Sequence, residues 1–354
     1  MNILVTGGAG FIGSAFIRFV LRNTEFNVLN VDALTYAGNL ESLKDIESNP
    51  RYKFKRIDIC DYKNLSSTFI NFKPNLIVHF AAESHVDRSI DSPMNFLNTN
   101  IIGTFNLLEI SRNYYHSLND SQKPSFRFHH VSTDEVYGDL EPDQEAFSET
   151  NPYLPSSPYS ASKASSDHFV RAWKRTYGLP VVITNCSNNY GPYQFPEKLI
   201  PLVINNAINF KEIPIYGSGL QIRDWLYVDD HVSGILKAAL EGDIGETYNI
   251  GGNNELTNID VVKKICNYLD KYKPSHNERI KNYHELISYV PDRVGHDSRY
   301  AINSSKIYNE LSWRPVETFD TGLKKTIDWY LENKDWSDRI YQRNFNGERM
   351  GLLR

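Results

Sequence analysis

Through the first half of the chain, short runs of apolar and β-branched residues alternate with stretches in which apolar positions return every three or four residues. The short runs predict strands at Ile3–Thr6, Val28–Asp32, Phe54–Asp58, Leu76–Ala82, Phe126–Ser132 and Val181–Asn185, with helices between most of them. Strands alternating with helices predict an α/β fold, a Rossmann-type doubly wound parallel sheet with helices on both faces. After Asn185 the pattern breaks. Pro192, Pro196, Pro201 and Pro214 cut the chain into shorter pieces, and Asn, Lys and Tyr become denser toward Arg293, while Trp225, Tyr227, Leu236 and Ile250 still supply core. This predicts a smaller C-terminal α/β substrate-binding lobe. The expected division is a first domain over 1–185, a lobe over 186–335 whose chain crosses back to the first domain around 225–240, and a charged, loosely packed tail over 336–354.

Composition narrows the partners. The 354 residues are 40% hydrophobic and 23% charged, ordinary for a globular protein, and the net charge of −5 argues against general affinity for nucleic acid or an anionic membrane. No stretch approaches the roughly 20 apolar residues that a membrane helix needs. Three cysteines, Cys60, Cys186 and Cys266, are too widely spaced for a disulfide framework or a metal knuckle. No signal segment precedes Ile3, and a cytoplasmic location is expected.

Gly7-Gly8-Ala9-Gly10-Phe11-Ile12-Gly13 follows the first predicted strand and opens a helix near Phe11. Glycines allow the backbone to turn tightly and approach a pyrophosphate, whose charge then meets the amides and dipole of the helix. Asp32 closes the second strand about 20 residues on, where a carboxylate accepts from ribose hydroxyls and repels a 2′-phosphate. NAD is therefore favoured over NADP. Asp58-Ile59 ends the third predicted strand, where an adenine would lie.

Two further stretches carry chemistry. Ser132-Thr133-Asp134-Glu135-Val136-Tyr137-Gly138 sets two carboxyls and a hydroxyl directly after a predicted strand, where open α/β sheets collect their ligands. Ser157-Pro158-Tyr159-Ser160-Ala161-Ser162-Lys163 reads as a helix start with Ser157 as N-cap, and the helix stops at Gly178. Tyr159 and Lys163 share a face. A phenol acting as a base near neutrality needs its pKa of about 10 lowered by roughly three units, about 4 kcal/mol, much of which a nearby ammonium can supply. His129 and His130 point to opposite faces of a strand, and His79 and His85 read as structural or near a nicotinamide, so no metal is expected.

Together these segments resemble the extended short-chain dehydrogenase/reductase family and, within it, the nucleoside-diphosphate-sugar 4,6-dehydratases, nearest to those acting on dTDP-glucose. The resemblance covers nearly all the chain. It also rests on the segments Asp32 to Asn39, Ala81 to Ser89, Asn188 to Pro192, Arg223-Asp224-Trp225 and Pro291 to Asp297. It implies that Tyr159, assisted by Lys163 and Thr133, takes the proton of a sugar 4-hydroxyl while hydride passes to NAD. Glu135 then removes the C5 proton, Asp134 protonates the departing 6-hydroxyl, and hydride returns to C6, giving a 4-keto-6-deoxy sugar for deoxysugar biosynthesis.

The same resemblance implies a cofactor site of Gly7, Gly10, Phe11, Ile12, Gly13, Asp32, Ala33, Leu34, Thr35, Asp58, Ile59, Phe80, Ala81, Ala82, Ser84, Thr99, Tyr159, Lys163 and Asn189. For the nucleotide sugar it implies Ser84, Thr133, Asn188, Lys198, Leu199, Val203, Pro214, Ile215, Tyr216, Arg223, Asn258, Asp292, Arg293 and His296. It further implies a homodimer, for which the apolar faces around Phe105–Leu108 and Phe169–Trp173 are available. UDP-glucose 4,6-dehydratase, 4-epimerase and UDP-glucuronate decarboxylase activities remain alternatives on the same fold, as does a non-catalytic NAD-binding scaffold or sensor. Thymine and uracil differ by one methyl, worth only about 1–3 kcal/mol in a pocket.

Overall fold

The computed structural model describes residues 1–275, 280–292 and 295–344. Its centre is a seven-stranded parallel sheet built from β1 (Asn2–Thr6), β2 (Asn27–Asp32), β3 (Tyr52–Arg56), β4 (Leu76–His79), β5 (Arg127–Thr133), β6 (Val181–Cys186) and a later strand, Thr247–Ile250. Across the sheet the order is Thr247–Ile250, β6, β5, β4, β1, β2, β3. The order reverses at β1, as in a doubly wound fold. β4 and β6 are buried along their whole length, which explains their nearly unbroken apolar sequence, whereas the edge strand β3 alternates aromatic and basic residues.

Helices cover both faces. On one, Phe16 and Val20 of the helix Phe11–Asn23 share a core with Val232 and Ile235 of the helix Val228–Glu241. On the other, Leu65 and Phe69 of Tyr62–Phe72, Leu107 and Leu108 of Thr104–Ser117, and Val170 of Pro158–Tyr177 close a second core.

Two predicted strands run past their true ends. β3 begins at Tyr52 and stops at Arg56, leaving Ile57 to Ile59 as loop, and β4 stops at His79. Beyond it the Phe80 amide still donates to Thr6 O at 3.0 Å, and the chain then folds over the glycine turn, where Ala81 meets Gly7. Apolar content carried both expectations too far, because Ile57, Phe80, Ala81 and Ala82 are half-buried in loops beyond the last pairs of the ladder.

The second lobe holds a small sheet of Asn188–Tyr190, Ile222–Tyr227, Glu255–Thr257 and Arg299–Tyr300, and a pair of strands, Ile213–Tyr216 and Ile287–Val290. Ile204, Trp225, Ile265, Leu269 and Ile327 form its core. The chain returns to the main sheet through the helix Val228–Glu241 and the strand Thr247–Ile250, so the crossing extends ten residues beyond the expected stretch. The charged tail begins as a helix, Lys334–Asn344, with Trp336 and Ile340 buried, and its last ten residues lie outside the described ones.

The helix Pro158–Tyr177 starts and stops where its sequence says. Ser157 Oγ accepts from the Ser160 amide at 3.0 Å, Ser160 Oγ accepts from the Ser157 amide at 3.0 Å, and Gly178 closes the helix at φ 70°. Ser157→Ala should lower stability by about 1 kcal/mol, read from the midpoint of chemical denaturation. An unshifted midpoint would show that the cap contributes nothing.

Candidate functional site

A long cleft opens beyond the carboxyl ends of β1, β2, β5 and β6 and is walled on its far side by the second lobe. At its floor Gly7 adopts φ 71° and its amide donates to Val31 O at 2.9 Å. A Cβ on Gly7 would lie 2.5 Å from the Ala81 nitrogen, and one on Gly13 would lie 2.3 Å from Gly7 O. Only glycine fits at either position, and the helix Phe11–Asn23 begins directly over the cradle.

Asp32 ends β2 at the cleft wall. Its carboxylate accepts from the Ala9 amide at 2.9 Å and the Leu34 amide at 2.8 Å, while burial pushes its pKa up against those bonds. Leu34 takes φ 54°, unusual for leucine, to present that amide. The cleft is lined by every residue expected to hold cofactor except Leu34, which acts on Asp32 from behind. A cradle that any side chain would fill, together with a carboxylate where a ribose would lie, fits a dinucleotide.

The catalytic candidates meet where β5 ends. The Thr133 hydroxyl accepts from the Glu135 amide at 3.3 Å and lies 3.3 Å from Asp134 Oδ1. Asp134 is 2% exposed, and Oδ2 of its carboxyl has no hydrogen-bond partner. Burial, then the neighbouring Glu135 and Asp224, hold this carboxyl well above the usual range, against Arg223.

Tyr159 is buried beside it, its phenol hydrogen-bonded to Thr133. Burial and the charge of Glu135 raise its pKa, and the hydrogen bond from Thr133 is what favours the phenolate. The sequence pairs this phenol with the Lys163 ammonium. In the structure that ammonium donates to Val131 O at 2.9 Å and lies 3.5 Å from His130 Nε2. Burial lowers the pKa of Lys163 and buried Asp167 opposes the loss of its proton.

The histidines are structural in their contacts. His79 sits between Thr6 Oγ1 at 2.7 Å and Thr104 Oγ1 at 2.9 Å, and burial holds its pKa well below the ordinary value. His129 meets Thr184 on one face of β5 while His130 meets Asp167 on the other. His85 caps the short helix Val86–Asp91. Among the described residues no group of three or more His, Cys, Asp or Glu side chains is arranged to hold a metal.

Of the residues expected to hold a nucleotide sugar, Ser84, Thr133, Asn188 and Lys198 line the cleft, and Lys198 Nζ donates to Ser84 O at 3.2 Å. A second group stands apart in the lobe. His296 Nδ1 is 2.6 Å from Asp292, whose other oxygen accepts from Gln221 at 2.8 Å; Tyr216 donates to Asp87 at 3.4 Å, and the Asn258 amide donates to Gln221 O at 3.0 Å. Arg223 is buried over the Tyr300 ring at 4.4 Å and donates to Asp297 O at 2.9 Å. Val203 and Ile215 are core of the lobe, and Leu199 and Pro214 flank it at the start of a helix and within a strand. Arg293 lies outside the described residues.

Sequence reasoning missed several cleft residues: Tyr193, Gln194, Glu197, Trp336 and Ile340. It also missed Asn100, buried in the π-helical turn Leu97–Gly103, which accepts from the Glu83 amide at 2.8 Å and donates to Ser162 Oγ at 2.8 Å. Asn100 thereby fixes the loop beyond β4 to the helix of Tyr159. Only Trp336 carried a local signal, a lone tryptophan in a charged stretch.

The chain is 59% identical over 361 residues to dTDP-glucose 4,6-dehydratase of Escherichia coli, covering 100% of both, and 58% identical over 350 residues to that of Neisseria meningitidis, covering 99% of both. Among solved structures, dTDP-glucose 4,6-dehydratase of Streptomyces venezuelae with NAD bound matches at TM-score 0.87 and 43% identity, over 96% of this chain and 100% of that one. The enzyme of the same name from Bacillus anthracis, in complex with NAD, matches at TM-score 0.85 and 46% identity, over 96% of this chain and 99% of that one. The model of one family, described as GDP-mannose 4,6 dehydratase, spans residues 4–326, and the chain belongs to that family.

Proposed function

We propose that the protein is an NAD-dependent hydro-lyase that converts dTDP-glucose to dTDP-4-keto-6-deoxyglucose and water, a step of deoxysugar biosynthesis. One observation carries the choice of reaction: a buried carboxyl whose pKa is raised, Asp134, adjoins a second carboxyl, Glu135, next to the phenol of Tyr159. Epimerases and decarboxylases of this fold need the phenol but have no use for an acid at O6. The choice of sugar nucleotide rests on relatives of that name aligned over whole chains.

The glycine turn, Asp32 and Asp58 hold NAD, which supplies the hydride acceptor at the start of the cycle and the donor at its end. Tyr159 takes the proton of the sugar 4-hydroxyl. It acts as the phenolate, which a hydrogen bond from Thr133 favours before the transfer, with the Lys163 ammonium as a buried positive charge behind it. The 4-ketone acidifies the C5 hydrogen, which Glu135 removes as a proton. Asp134 gives its proton to O6, and water leaves. Two adjacent carboxyls divide these tasks because burial and mutual repulsion separate their titrations. The first lobe supplies the chemistry, and the second, through Asn188, Lys198 and the group around Asp292, holds the nucleotide sugar.

The protein forms a homodimer in this reading and works in the cytoplasm, in keeping with three free cysteines. No helix among the described residues is long and apolar enough to cross a membrane. Met94, Leu97, Ile102 and Phe105 are exposed together along residues 94–105, beside Trp173 and Tyr177 of the next helix. Leu107 and Leu108 belong to the core, so of the expected face around Phe105–Leu108 it is Phe105 that is exposed and available to a partner.

Glu135→Gln should still allow bound cofactor to be reduced, seen by near-ultraviolet absorbance, but should stall water loss by a factor on the order of a hundred or more. Undiminished product formation would remove Glu135 from the mechanism. Asp134→Asn has an effect on stability of known sign. A folded pKa above the unfolded one means that the folded state binds more protons, so wild-type stability falls as pH rises from the unfolded carboxyl range toward the raised value. The Asn variant should therefore be the more stable at neutral pH, by an amount growing at up to about 1.4 kcal/mol per pH unit, as denaturation at several pH values would show. Ile102→Asp should give a monomer in light scattering, and an unchanged mass would place the interface elsewhere.

A further inference from the structure

The cleft has a latch that the chemistry above does not use. Three segments that line it meet over one carboxylate. Glu197, whose side chain is 4% exposed, comes from the second lobe; its Oε2 lies 3.1 Å from Arg88 Nε and its Oε1 accepts from the Tyr36 hydroxyl at 3.2 Å. The Arg88 guanidinium lies over the Tyr36 ring, its Cζ 3.8 Å from the centroid, and Tyr36 packs edge-on against Phe195. His85 Nε2 stands 4.0 Å from the same carboxylate. Tyr36 sits in the loop that leaves Asp32, Arg88 in the helix beyond Ser84, and Glu197 beside Lys198. Each segment contributes neighbouring residues to the cofactor wall.

Simple adhesion between the lobes does not explain such a group. A buried ion pair stabilises a fold no better than apolar side chains of similar volume, whereas its geometry is directional and its partners are tightly coupled. Tyr36 and Glu197 both line the cleft that runs from the glycine turn past Asp32, so a dinucleotide lying there would be flanked by the two segments that the carboxylate joins. The proposed reaction makes early departure costly, because hydride taken at C4 must return at C6 from the same molecule of cofactor.

We infer that Glu197, Arg88 and Tyr36 form a clasp that retains NAD in the cleft between the two hydride transfers, with Glu197 as the positioning residue that bridges the second lobe to the cofactor loop. The inference rests on the NAD-dependent reading above. The clasp acts on cofactor residence and leaves the chemical steps to other residues.

The test is the rate at which bound NAD leaves. Protein loaded with NAD is passed through a desalting column, and the cofactor remaining is measured over time by enzymatic cycling after acid release. Glu197→Gln, which keeps the volume but removes the charge, should release NAD faster by on the order of tenfold. Tyr36→Phe, which keeps the ring under Arg88, should give a smaller acceleration in the same direction, and the double variant should be little faster than Glu197→Gln. Tyr36→Phe and Arg88→Lys carry the test should the Gln variant fail to fold. Release at the wild-type rate in these variants would overturn the clasp. So would a raised KM for dTDP-glucose with NAD release unchanged, which would make Glu197 a substrate contact. Wild-type protein that retains no NAD at all would overturn the cofactor reading itself, and the clasp with it.

Discussion

A single buried carboxylate ties the chemistry to the sheet. Asp167 lies inside the helix Pro158–Tyr177 with no exposure to solvent, and it accepts from Ser132 at 2.8 Å and Tyr153 at 3.0 Å while facing His130 Nε2 at 3.1 Å. These partners belong to β5 and to the loop before the helix. Through them the helix that carries Tyr159 and Lys163 is fixed in register against the strand that delivers Thr133, Asp134 and Glu135. A network of this kind rigidifies only when nearly every member is satisfied.

The same interior holds two buried aspartates whose pKa values are shifted in opposite directions. Burial alone would raise both. Asp167 is brought down by His130 and by the charges of Lys163 and Arg171, whereas Asp134 has a second carboxyl, Glu135, beside it. The charges nearby, not depth, set the direction. The burial that raises the pKa of Asp134 also costs the fold stability wherever that carboxyl must ionise. Lys163 belongs to the same balance: its ammonium donates to Val131 O, and the charge of Asp167 opposes the loss of its proton.

What could be read from the sequence was what local spacing encodes. The glycine turn, Asp32 at the end of β2, the capped helix from Pro158 to Gly178, and the pair of carboxyls after β5 all announce themselves within a few residues. The orientation of Lys163, the bridge from Asn100 to the loop beyond β4, and the meeting of Tyr36, Arg88 and Glu197 depend on contacts between residues 17 to 161 positions apart, which no periodicity encodes. Strand ends failed for a related reason, since Phe80 and Ile59 are apolar to suit a cleft and its loops, and the sequence does not distinguish that burial from burial in a ladder.

The return of the chain at Thr247–Ile250 also bears on how the molecule is made. The helix Phe11–Asn23, which opens over the glycine turn, packs its apolar face against Val228, Val232 and Ile235. A chain growing from the ribosome therefore presents its first helix long before the partner of that helix exists, and the outermost strand beside β6 arrives only after the small sheet of the second lobe has begun. N-terminal domains usually fold during synthesis as independent units. Here the apolar flank that Val228, Val232 and Ile235 cover stays bare until those residues have been made.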